Sequence, residues 1–154
     1  MTFVVLKFLH IAFMFIGVAL AVGPAVLLYL IARSGEPGSI GRAFAAAERV
    51  FQVSTASYGF GIVFGFIAAV VGTLDLRASW LVTAYVLVAV LAVHGILFDN
   101  WTKGVARAFA STGGFGAGRP DPLRRERRPL YLISAMAALI VAILFVMVIK
   151  PSLF

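Results

Sequence analysis

The residues best suited to chemistry in this chain are two histidines, His10 in KFLHIAFMFIG and His94 in LAVHGILFD. An imidazole can ligate a metal or a haem iron, or carry a proton near neutral pH. Both stand in segments otherwise built of Phe, Leu, Ile, Val and Ala. Ionisable groups in such surroundings are costly, so each needs a reason. On a helix, residues 10, 14, 17 and 21 share one face, which sets His10 on a stripe with Met14, Gly17 and Ala21 and directs it at a neighbouring helix. Lys7, one turn nearer the chain start, can extend its ammonium to lipid headgroups. Three uses stay open for the pair: hydrogen bonds to facing helices, cofactor binding, or proton transfer and transport.

Cofactor binding by His10 and His94 brings a b-type haem to mind, with imidazoles as axial ligands. At 1.5 Å per residue, His94 lies roughly 20 Å below Trp80 at the start of its segment, whereas His10 is only about 5 to 10 Å deep. One iron shared by both is therefore disfavoured, and His10 with Met14 or with no second ligand is the alternative. Other constellations are missing from the sequence. Asp75, Asp99, Asp121, Glu36, Glu48 and Glu126 all fall between the apolar runs, leaving no intramembrane acidic relay. There is no cysteine, no Ser-His-Asp arrangement and no phosphate-cradling motif, since Gly113, Gly114, Gly116 and Gly118 read as a flexible linker. No catalytic residue is assigned, and an enzyme is the less favoured class.

The elements that must position these histidines follow from composition. Of 154 residues, 62% are hydrophobic and 12% charged. A soluble domain of this size carries about a quarter charged residues and could not hide so much apolar surface, so the outer solvent must be lipid. Four runs free of Asp, Glu, Lys and Arg occupy residues 8–32, 51–74, 78–98 and 129–149, each long enough against the about 20 residues needed to cross hydrocarbon. They are continuous rather than alternating, which predicts helices. The fold class is thus all-α: a single four-helix transmembrane domain over residues 1–154, with Pro24 bending the first helix.

Small residues let helices in lipid approach closely. Gly17, Ala21 and Ala25 form such a stripe in the first run, Gly61, Gly65, Ala69 and Gly72 in the second, and Ser134, Ala138 and Ala142 in the fourth. Orientation follows from the basic residues. Arg33, Arg42 and Arg49 follow the first run, and Lys103, Arg107, Arg119, Arg124, Arg125, Arg127 and Arg128 follow the third, against only Lys7, Arg77 and Lys150 elsewhere. The positive-inside rule then places both termini outside the cytoplasm of a bacterial inner membrane. The same distribution accounts for the net charge of +7 without a nucleic-acid partner.

The two basic segments have helical character of their own. Ser39 can cap a helix carrying Ile40, Phe44, Ala47 and Phe51, and DNWTKGVARAF sets Trp101, Val105 and Phe109 opposite Lys103 and Arg107. Both patterns predict helices lying along the interface, the first of them then continuing into the second span. Residues 111–128 then form a basic flexible loop whose cluster of Arg124, Arg125, Arg127 and Arg128 would meet anionic lipids.

KFLHIAFMFIG, the basic first loop, SWLVTAYVLVAVLA and the final VMVIKP together resemble the bacterial family of predicted integral membrane proteins called domain of unknown function 2269. The KxxH opening also resembles copper-resistance D-type membrane domains and the four-helix protoporphyrinogen oxidase. The resemblance implies a first-helix histidine in use, at His10. The oxidase carries a tryptophan and a Pro-Arg pair after that histidine, and IAFMFIGVALAVGPAVLLYL has neither. The combined expectation is a small membrane protein serving as accessory or structural subunit of a larger assembly with other membrane protein subunits. The alternatives are a haem- or metal-binding redox protein and a small transporter.

Overall fold

The computed structural model describes residues 1–34, 37–112 and 127–151, less the side chains of residues 32, 34, 37–39 and 108–112. Four helices account for nearly all of them: α1 (Thr2–Ser34), α2 (Pro37–Val71), α3 (Ser79–Thr112) and α4 (Arg128–Ile149). All four are long and apolar enough to cross a membrane, and no strand occurs among the described residues. The chain fits a multi-pass integral membrane protein with a four-helix bundle. Helices satisfy every backbone group internally, which lipid demands. α1 continues unbroken through Pro24.

The helices alternate in direction. One end of the bundle gathers both termini and the turn from α2 to α3, with Arg77; the other gathers the remaining described arginines. At the termini end α2 stops in a Schellman turn: Leu74 N–H donates to the Ala69 carbonyl at 3.0 Å and Thr73 N–H to that of Val70 at 3.1 Å. The left-handed position falls on Thr73, at φ 52°, where a glycine would be unstrained. Gly72 stands one residue too early for that role because the space above it is taken. A Cβ there would lie 2.5 Å from the ring of Phe3. α4 ends on Lys150 at φ 50°, just before Pro151. Its ammonium lies 5.2 Å from the centroid of the Trp80 ring, and Ser79 Oγ donates to the Pro151 carbonyl at 3.3 Å, which ties the start of α3 to the end of α4.

The arginine end differs from the sequence expectation. The first of the two segments continues into its span as expected, forming the opening turns of α2, and the second is likewise continuous with its span, as the closing turns of α3, rather than a separate interfacial helix. Their apolar residues turn inward. Ile40, Phe44, Ala47, Trp101 and Val105 join Ala21, Ala25, Leu28, Phe98 and Met136 in one buried cluster. Four aromatics carry it: Phe44 meets Trp101 edge-on at 5.6 Å, Phe51 meets Phe98 edge-on at 5.5 Å, and Phe98 contacts Trp101 at 5.7 Å. The physical reason is length. At 1.5 Å per residue α1, α2 and α3 each measure about 50 Å against about 30 Å of hydrocarbon, so their ends must leave the lipid, and there burial against one another removes apolar surface from water.

A second correction concerns α4. Of the small stripe expected to pack this helix, Ser134 and Ala138 are exposed and only Ala142 is half-buried. α4 is seated by Pro129, Met136, Ile143 and Val146. Arg124, Arg125 and the glycine-rich linker lie outside the described residues.

Candidate functional site

The seam between α1 and α2 is an antiparallel ladder in which a bulky side chain on one helix meets a glycine on the other. Gly17 lies under the Tyr58 ring, where a Cβ would come within 3.2 Å; Gly61 lies under Met14, at 2.8 Å from its sulfur; Gly65 lies under His10, at 2.5 Å from Nδ1. Gly72 and Phe3 continue the register to the end of the helices. Each glycine removes the one atom that would hold the backbones apart. Ala21, buried at the next level, extends the seam toward the arginine end. Ala138, like Ser134, lies outside such contacts, exposed on α4.

His10 is half-buried in the notch cut by Gly65, and its Nδ1 stands 2.7 Å from the Gly61 carbonyl oxygen. A carbonyl only accepts, so Nδ1 carries the proton and donates. In the neutral ring the lone pair then sits on Nε2. Gly61 is thus the acceptor and Gly65 the floor; a side chain at 61 would collide with Met14 on the next rung. About two turns further along the seam, Ser54 Oγ donates to the Gly17 carbonyl at 2.8 Å. Tyr58 Oη is buried with no hydrogen-bond partner among the described residues. Ser54 and Tyr58 were legible candidates, since they continue the i, i+3, i+4 stripe of Gly61 and Gly65 back along α2.

His94 occupies a different seat. Its Nε2 donates to the Leu132 carbonyl of α4 at 2.7 Å, which leaves the lone pair on Nδ1. Beside it Gly95 faces open space, with nothing within 4 Å of where a Cβ would be. The structure therefore does not bring the two histidines to one centre. His10 straps α1 to α2 toward the termini end, and His94 straps α3 to α4 near the first turns of α4. Aromatic rings lie beside the first strap, with Phe13 stacked on Phe64 at 5.6 Å and tilted against Phe60 at 5.5 Å.

Among the described residues no three His, Asp or Glu side chains group as a metal site. Of the basic cluster, Arg127 and Arg128 are described and exposed, at the start of α4. Arg33, Arg49 and Arg107 are exposed at the same end; Arg33 donates to Tyr29 Oη at 2.7 Å and lies over its ring. Lys103 pairs with Asp99 at 2.6 Å on the α3 surface, an exposed i,i+4 bridge of small energetic value. No protein-family model, no curated protein and no solved structure matches this chain.

Proposed function

We propose that the protein is a structural subunit of a bacterial plasma membrane, built to pack against other membrane proteins rather than to carry out a reaction. The observation that carries this reading is the use made of its two intramembrane ionisable groups. Both histidines donate to a backbone carbonyl of the neighbouring helix at 2.7 Å, which is a helix-joining role. Large apolar side chains such as Phe8, Phe15, Leu27, Val141 and Phe145 cover the outside. The arginine end faces the cytoplasm in this proposal, where Arg33, Arg49, Arg107, Arg127 and Arg128 meet anionic lipid headgroups. Membership of the bacterial family that the sequence resembles belongs to the same proposal.

One observation favours a second reading. A ligating histidine commonly donates its other ring N–H to a carbonyl, and His10 does so toward Gly61, leaving Nε2 able to bind a b-type haem iron or a metal ion. The residues fit a one-histidine site only, because His94 serves another helix pair. Purification in mild detergent separates the two readings. The structural reading expects a colourless protein that copurifies with membrane partners. Oxidised and reduced visible spectra showing a haem band that disappears in His10→Ala would overturn it in favour of the second.

A further inference from the structure

α2 has a second face, opposite the one that meets α1. Ala45, Glu48, Arg49, Gln52, Ala56 and Gly59 recur there at helical spacing, and all are exposed. A Cβ on Gly59 would meet nothing within 4 Å. Counting about 20 residues of hydrocarbon back from Val71, Gln52 lies at its edge, with Ala56 and Gly59 inside and the charged pair just outside. Neither Gln52 nor Arg49 makes a hydrogen bond or ion pair among the described residues; Glu48 makes none either, though its charge is felt at Lys103.

We infer that this face joins α2 to the α2 of a second copy of the chain, in a parallel two-fold dimer. Three features select a second copy as the occupant. Glu48 and Arg49 flank the stripe on opposite sides at almost one depth. In a parallel pair the left flank of one helix faces the right flank of the other, so Glu48 meets the second copy's Arg49, twice over. An antiparallel pair would set like flanks together. Gln52 carries both donors and acceptors, so its own image across the axis completes it. Ala56 and Gly59 allow the backbones close enough for those contacts. The inference rests on the structural-subunit reading and gives it a first partner.

The absence of cysteine from the chain makes a clean test. Ala56→Cys, oxidised mildly in native membranes, is expected to give a disulfide-linked dimer, because facing Cα atoms at such a crossing fall within the about 4.4 to 6.8 Å that a disulfide needs. Ala138→Cys, on the exposed small stripe of α4 where no charged pair stands, is expected to stay monomeric. In the Ala56→Cys background, Glu48→Arg or Arg49→Glu should cut the crosslinked fraction about fivefold, and the double exchange should restore it. Misfolding would not be rescued by a second charge reversal. Monomeric Ala56→Cys, or single reversals that crosslink like the parent, would overturn the inference. If Ala56→Cys instead crosslinked to a different membrane protein, the dimer would be wrong while the structural-subunit reading stood.

Discussion

The two histidine straps use one kind of bond in unlike seats. His10 fills a notch that exists only because Gly65 lacks a side chain, and bonds the Gly61 carbonyl beside it, whereas His94 lies beside a glycine that faces open space and reaches across to a bulkier residue's carbonyl. The bond lengths are equal, yet the seats are not equally exacting. At α1–α2 the polar contact and the close packing are the same atoms, so neither can be altered alone. At α3–α4 the hydrogen bond is separate from the packing that Met136, Ile143 and Val146 provide.

This contrast can be broken at several points. The largest effect is expected where both helix pairs share one core. Phe44→Ala should cost about 3 to 5 kcal/mol by emptying the aromatic cluster at the arginine end, read as a loss of thermal stability in detergent. Gly65→Ala comes next, at about 2 to 3 kcal/mol, because the new Cβ occupies the place of His10 Nδ1 and expels the ring from its carbonyl. His10→Ala combined with Gly65→Ala should then cost clearly less than the two single losses added, by about 1 kcal/mol or more. Strict additivity would show that the notch and the bond are independent. His94→Ala should cost only about 1 kcal/mol, and Gly95→Ala close to nothing. One change of similar size to His94→Ala is a gain: Thr73→Gly should stabilise the turn by about 1 kcal/mol by relieving the left-handed position, while Gly72→Ala should be harmful against Phe3.

What could be read beforehand tracks where the sequence carries phase. The four spans are plain because uninterrupted apolar length needs no partner to be recognised. The face of α2 toward α1 is legible because Gly61, Gly65 and Gly72 interrupt larger residues at regular spacing. α4 offers no such contrast: nearly every residue from Leu130 to Ile149 is apolar, so Ser134 and Ala138 stand out without marking the inner face. The inner ends of α2 and α3 mislead for another reason. Ile40, Phe44, Trp101 and Val105 repeat at the same interval whether their stripe meets headgroups or another helix, and only helix length against bilayer thickness separates the cases. The acceptor of His10 is hidden from the sequence because it is a backbone oxygen, a group every residue owns.

The glycine ladder also bears on how the chain is made. All of its rungs, from Phe3–Gly72 to Gly17–Tyr58, lie within the first 72 residues, so α1 and α2 hold everything their seam requires. The next roughly forty residues, the turn and α3, take about 2 to 8 s to synthesise at 5 to 20 residues per second. The first hairpin can therefore close in the bilayer as a finished unit while its later neighbours are still being translated, and it presents them with a preformed surface on which to assemble.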